Sequence, residues 1–590
     1  MGMFVRRNGR VGTLIFAVLL LATPLIFREV SAQQLPTKPA DRITGVVINS
    51  VTGEPVARAL VVSEGEIFAT LTDNSGRFEF VFPDTPGGQS AGEPGRPPRV
   101  SSRYVYRPSL LTARKPGFLN GRDEHASPGQ RVIDGKEMEI ALVPEALIVG
   151  HIALPTTEPP DPIEVELFQR QVRNGRAHWV SVGVQSTRSD GQFRFAELPA
   201  GTYKLLTHEL RDEDPKFSAP EGQVYGYAPV YYPNASGFSS AGTIELKPGK
   251  TAEASLKLTR QPYFPVIVPV TNVPPGRSLG GIEVSVQGPG GPGYALQYDY
   301  QKQAIVGLLP NGSYQLRAMN YGQQALSGDA NITVHGGANG AILPLAATPP
   351  VRVNVKDEFT SEVSPFTTTI VGSNGRQTTQ ERRFDVTVAL QPVDDFTVLQ
   401  QGTPSQGHLD PQTNSMQIDS VAPGRYWVEV YPTNGYAASV TAGGVDLRNH
   451  PLVVPSGSSA PSIEIVLRND TASIEGTVEG VSNLSGVAAP VPTGFNSWSN
   501  TSSDSSARLY FIPLPDSTGR FIEQNVSQDG SFSVSLPPGE YRVLAFPRVQ
   551  PEIEYENPNA MRAYDGKGQV VRLAAGQKER IQLQLISTSE

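Results

Sequence analysis

The sequence predicts an all-β chain, a tandem array of about five antiparallel β-sandwich domains behind an N-terminal export segment, and three observations carry that expectation. A short phrase containing Gly-x-Tyr recurs: LPAGTYKL at Leu198, LPNGSYQL at Leu309, VAPGRYWV at Val421 and LPPGEYRV at Leu536. Around each occurrence apolar and polar residues alternate with a period of two, the pattern of half-buried strands. The 58 glycines and 52 prolines among 590 residues make about 19% of the chain, above the usual ~12% and below the ~25–30% of low-complexity disorder, which reads as frequent tight turns.

The repeat sets the domain size. Gly201, Gly312, Gly424 and Gly539 stand 111, 112 and 115 residues apart, the length of one small domain. One interval upstream, FVFPDTPGG places Gly87 114 residues before Gly201, so five copies are expected. Their boundaries fall at 42–145, 146–261, 262–349, 350–470 and 471–588.

Residues 1–32 read as a signal peptide: Arg6, Arg7 and Arg10 precede an apolar run from Val11 to Phe27, and Val30-Ser31-Ala32 supplies small residues for cleavage. An uncleaved membrane anchor stays open, because Arg28 and Glu29 interrupt the approach to the cut. No later segment is apolar enough to span a bilayer as a helix. An exported chain with no cysteine has no disulfide framework, thiolate metal site or lipidated cysteine, which suits the periplasm, outer surface or surroundings of a bacterium. With Lys+Arg 49 against Asp+Glu 57 and net charge -8, nucleic acid is not a favoured partner.

Each copy repeats one internal order. A β-rich phrase opens it, as in ITGVVINS (43–50), LIVGHIAL (147–154), VRVNVKD (351–357) and SIEGTVEG (473–480). A turn and a strand follow in TDNSGRFEF, RSDGQFRF and SQDGSFSV, where Ser-Gly or Asp-Gly makes the turn and Phe-x-Phe or Phe-x-Val marks one face. The Gly-x-Tyr bend leads into another alternating strand, and a glycine turn with a last strand closes the copy, as in KPGKTAEASLKL (247–258) and AAGQKERIQLQL (574–585). Antiparallel pairing is expected throughout. At the bend, glycine is expected at positive φ. The tyrosine that follows matches the corner of immunoglobulin-like sandwiches, in which a buried ring hydrogen-bonds its hydroxyl to nearby backbone. That structural role is expected for Tyr203, Tyr314, Tyr426 and Tyr541.

The order ITGVVINSVTGEPVARALVV, ATLTDNSGRFEF and LTARKPGF in the first copy resembles the carboxypeptidase regulatory-like domain. That resemblance implies a transthyretin-like seven-stranded sandwich of the carbohydrate-binding-like kind, common in exported bacterial proteins. It extends over 146–260, where YAPVYYPNASGFSSAGTIELKPGK also resembles a phrase of such tandem proteins, and the last copy is assigned to it as well. The resemblance marks a fold and implies no activity.

Catalytic chemistry finds no support. The seven histidines (125, 151, 178, 208, 335, 408 and 450) form no His-x-x-Glu pair, so a zinc carboxypeptidase site is not expected. GQSAG at 88–92 lies in a Gly/Pro-rich insert, without the strand and helix that a nucleophile elbow requires. GPGGPG at 288–293 has two prolines where a phosphate cradle needs backbone donors. Asp212, Glu213, Asp214, Asp394 and Asp395 read as solvated loops. No catalytic, metal or cofactor residue is expected, and an enzyme of unrecognised class is the remaining catalytic alternative.

Recognition is expected at aromatic residues on loops, where a flat face beside amides or carboxylates can stack on a sugar. Two places qualify: Tyr225, Tyr227, Tyr231 and Tyr232 in one connection, and Phe495 with Trp498 in GFNSWSNTSSDSS. Trp179 and Trp427, in alternating phrases, are expected in cores. The preferred function is a non-catalytic exported modular protein binding carbohydrate or a cell-envelope protein through its loops; a structural spacer or adhesin stalk without a small ligand is the alternative.

Overall fold

The computed structural model describes residues 41–82, 108–119, 130–132, 135–155, 162–211, 223–235, 237–273, 282–287, 294–320, 326–337, 340–371, 377–393, 405–410, 413–481, 507–514, 517, 519–527, 529–550 and 552–586. The expected signal peptide, the GQSAG and GPGGPG segments, the acidic residues at 212–214 and 394–395, and Phe495 and Trp498 lie outside them. The chain divides into two units, 1–42 with 81–102 and 43–80 with 103–590. The contacts described below belong to the second.

Strands dominate, and the described residues contain one α-helix of four residues, Pro558–Met561. The protein is an array of antiparallel β-sandwiches. In the second copy, Arg176–Ser186, Glu164–Arg173, Gly201–Thr207 and Ile244–Leu246 form one sheet in that order. Gln192–Leu198, Ala146–Ala153 and Thr251–Glu253 form the other. Ile148 and Phe193 from one sheet and Leu167, Leu205 and Ile244 from the other meet in one core, because the period-two alternation sends one side of each strand inward. The fifth copy repeats the plan with Ile522–Asn525, Arg508–Pro513, Gly539–Phe546 and Gln569–Leu573 opposite Ser531–Leu536, Ala472–Glu479 and Lys578–Gln584. The fourth sets a five-stranded sheet against a four-stranded one around its own core.

Pairing is not antiparallel throughout. The closing strand lies parallel to the opening strand: Val47 pairs with Ile140, Ile148 with Ala252, Val355 with Ile465, and Ile474 with Glu579. A hairpin can join only antiparallel neighbours, whereas the closing strand returns after the chain has crossed to the facing sheet, and that return leaves it parallel. The boundary expected at 261–262 falls inside a strand. Arg260–Thr271 pairs at its start with Val224–Tyr227 and along its length with Ala304–Pro310, so one sheet runs from the second copy into the third.

Three devices recur. At the turns, Gly76, Gly191 and Gly530 sit at φ 73, 79 and 82°, a region only glycine enters freely. Their carbonyls accept from Val47, Ile152 and Val478 of the opening strand. In that opening strand, Gly45, Gly150 and Gly476 lie beneath the first ring after the turn: an added Cβ would come within 2.5, 2.3 and 2.8 Å of Phe78, Phe193 and Phe532. At the corners, the hydroxyls of Tyr203, Tyr314, Tyr426 and Tyr541 donate to the carbonyls of Pro199, Pro310, Ala422 and Pro537 at 2.7, 2.9, 2.7 and 2.7 Å. All four rings are buried. The expected positive φ is found at Gly201 and Gly539, at 155 and 159°, and not at Gly312 and Gly424. Their common feature is the tyrosine two residues on, whose ring at Gly201, Gly312 and Gly424 lies where a side chain would project.

Tyr426→Phe leaves the Ala422 carbonyl buried without its donor and is expected to lower the urea-unfolding free energy of the fourth copy by about 1–2 kcal/mol. Gly150→Ala, whose Cβ would stand 1.9 Å from the Ala254 carbonyl oxygen, is expected to cost the second copy more than that.

Candidate functional site

The tyrosine cluster of the second copy is folded inward. Tyr231 is fully buried and Tyr227 nearly so, and Tyr231 packs edge-on against Phe238, 5.6 Å between centroids. The cause is the path of the segment: Tyr232 N–H donates to Leu205 O and Thr207 N–H to Val230 O, which lays the connection along its own sheet. Tyr225 and Tyr232 are half-buried, and the Arg260 guanidinium lies over the Tyr225 ring at 4.2 Å. Neither Tyr227 nor Tyr231 presents a face to solvent. Trp179 is half-buried against Phe238, with the Lys204 ammonium 5.0 Å from its centroid.

A cleft of about 1040 Å³ lies elsewhere, where the second, fourth and fifth copies meet. The turn of the 164–186 hairpin reaches into it. Asn174 and Gly175 take φ 50 and 72°, closing Glu164–Arg173 onto Arg176–Ser186. Gly175 is bare because Tyr555 covers it: an added Cβ would stand 2.6 Å from that ring. The Glu556 amide donates to Gly175 O at 3.1 Å, and Tyr555 stacks on Phe521, centroids 4.1 Å apart and planes within 5°.

Charge pairs line the same meeting. Arg170 bonds Glu554 at 2.5 Å and Arg176 approaches Glu556 at 3.3 Å, while the Arg176 guanidinium lies 3.8 Å above the Trp427 ring. Asn174 and Tyr431 both donate to the Glu429 carboxylate. The Arg170 hydrogen bond holds the Glu554 carboxyl below its ordinary range, whereas burial pushes Glu556 up against the pull of Arg176. Burial also raises the hydroxyls of Tyr431 and Tyr555.

Trp427 was expected in a core and is a half-buried wall of the cleft. Tyr426 points into the fourth copy's core, so its neighbours Trp427, Glu429 and Tyr431 share the opposite face of Gly424–Pro432. The missed signal was that outward Trp-x-Glu-x-Tyr series, too aromatic for an uncovered surface.

A second unusual place joins the second and third copies. Glu209 Oε2 accepts from the Ala295 amide at 3.3 Å, beside the buried Tyr263. The Glu209 Oε1 atom and the Tyr263 hydroxyl are buried at the same joint. Burial lifts the Glu209 carboxyl to about 7 against the opposing pull of Arg211. Nowhere among the described residues do three or more His, Cys, Asp or Glu gather closely enough to hold a metal ion.

No protein-family model matches the chain, and no curated protein does. Similar solved structures include the Bacillus anthracis TIE protein, at 12% identity over 73% of this chain and 68% of that one, TM-score 0.14. The minor pilin of Streptococcus agalactiae shows 14% identity over 40% and 99%, TM-score 0.17. Two B repeat units of the collagen-binding protein of Staphylococcus aureus show 11% over 70% and 94%, TM-score 0.14. Overlap of this extent carries no argument about activity or partners, and the fold rests on the sheets described above.

Gly175→Ala forces a side chain into a left-handed position against the Tyr555 ring; it is expected to weaken the meeting of the copies by about 1 kcal/mol or more, read as faster hydrogen exchange at the Glu556 amide. At Glu209 the folded carboxyl keeps its proton to about pH 7 while the unfolded one releases it near its ordinary value of 4.5. The native state binds more protons in that window, so this group's contribution falls as pH rises through it. Glu209→Gln is expected to flatten that part of a stability-against-pH profile.

Proposed function

We propose that this chain is a non-catalytic exported modular protein that binds carbohydrate or an envelope partner, and that its principal binding site is the cleft between the second, fourth and fifth copies. One observation carries the reading: aromatic rings, guanidinium groups, amides and carboxylates from three copies converge on a single concavity, the mixture that recognises polyhydroxylated ligands. Five copies at 42–145, 146–261, 262–349, 350–470 and 471–588 remain our domain division, with the joint between the second and third moved into the Arg260–Thr271 strand. The turn and opening-strand glycines shared by the first, second and fifth copies support their assignment as carboxypeptidase regulatory-like domains. Phe495 and Trp498, outside the described residues, stay candidate contacts. Export, by way of residues 1–32, is part of the same proposal. Among the described residues no helix is long and apolar enough to cross a membrane.

The spacer or stalk reading is favoured by a different observation, the interlocking of Gly175 with Tyr555. Affinity electrophoresis against a panel of soluble polysaccharides and peptidoglycan fragments separates the two. Retardation by one polymer, reduced in Tyr431→Ala and unchanged in Tyr231→Phe, is the expected result; mobility unaffected by every polymer supports the spacer.

A further inference from the structure

We infer that the cleft takes a glycan segment bearing a carboxylate, an acidic sugar of the uronic-acid type, with Tyr431 as its stacking surface and Arg520 as its anion contact; the inference rests on the binding reading above. The charges of the cleft nearly all answer one another. Arg170 has Glu554, Arg176 has Glu556, and Arg542 has Asp565 at 2.8 Å. Arg448 is held by both oxygens of Asp446, at 3.0 and 2.8 Å. Glu429 is occupied by the Asn174 amide and the Tyr431 hydroxyl.

Arg520 stands apart. It is exposed, its guanidinium lies over the Tyr431 ring, 5.2 Å from the centroid, and among the described residues it makes no ion pair and no side-chain hydrogen bond. Its backbone is fixed all the same, because its amide donates to the Tyr541 hydroxyl at 3.2 Å. The corner tyrosine of the fifth copy thus anchors the residue that carries the cleft's unanswered cation. Tyr431 is 38% exposed, and its hydroxyl bond to Glu429 sets how the ring is presented. A flat ring held in place under one guanidinium that has no ion pair among the described residues matches a sugar ring carrying one planar carboxylate: the apolar sugar face packs on the part of Tyr431 left exposed, and the guanidinium fork receives two oxygens. Asn449 and His450, exposed, also line the cleft and supply polar groups for hydroxyls. A polyphosphate ligand fits less well, since it needs a row of cations and among the described residues the cleft leaves one arginine without an ion pair.

The test is affinity electrophoresis of the purified protein in gels containing polygalacturonate, its fully methyl-esterified form, or dextran. Polygalacturonate is expected to retard the protein with an apparent affinity about tenfold or more above that of the ester. Arg520→Gln should remove that difference, Arg520→Lys should keep part of it, and Tyr431→Ala should weaken retardation by the acidic polymer. Unchanged thermal midpoints in all three variants exclude unfolding as the cause. Equal retardation by the acidic and esterified polymers, or unchanged retardation in Arg520→Gln, overturns the acidic-sugar assignment while leaving glycan binding standing. No retardation by any polymer overturns both.

Discussion

A tyrosine hydroxyl reaching back to the carbonyl four residues before it is the constraint on which the rest of this structure depends. The bond closes the Gly-x-Tyr bend and settles which way the following strand faces. Because successive side chains in a strand point to opposite faces, placing Tyr426 inside puts Trp427, Glu429 and Tyr431 outside. The same parity at Tyr541 turns Arg542 toward Asp565 and sends Leu544 and Phe546 into the small outer cluster with Tyr510 and Ile553. At Tyr203 it directs Lys204 toward Trp179 and Phe238, where its ammonium donates to the Phe238 carbonyl. A corner that serves one copy's core also chooses what that copy shows to the others.

The meeting of the second, fourth and fifth copies follows from those outward faces. It is polar rather than oily, with arginine–carboxylate pairs around two stacked rings, as contacts between domains of one chain tend to be. Partly exposed ion pairs contribute little each. The specificity comes instead from shape, at Gly175, where the hairpin turn comes close enough to Tyr555 that a methyl group has no room. At such a meeting a recess remains wherever the convex edges of sandwiches fail to fill space, and its walls are the side chains that each copy turned outward.

Local pattern carried a large part of this structure. The Gly-x-Tyr phrase, the Ser-Gly and Asp-Gly turns and the alternating strands are read from neighbours within ten residues, and the sheets follow them. The same pattern misled where it was asked what covers a face. Trp427 looked like core because it stood in an alternating phrase, yet alternation names two sides and does not say which is inside; Tyr426 had already taken that place. The clustered tyrosines at 225–232 looked like an open loop, but hydrogen bonds to Leu205 and Thr207 draw the segment onto its sheet, and Tyr227 and Tyr231 close over.

By itself the sequence determined the kind of element, the turn chemistry, the repeat and the absence of any thiol chemistry, because each depends on residue type, on short spacing or on the recurrence of one short phrase. Only the tertiary structure decided that the closing strands run parallel to the opening ones, that the second and third copies share a strand, and that a glycine in each opening strand of three copies lies under a phenylalanine ring. It also decided the cleft. Gly175 and Tyr555, or Arg520 and Tyr431, are brought together by the packing of whole sandwiches across long stretches of chain. Contacts of that range leave no periodic trace in the residues that make them.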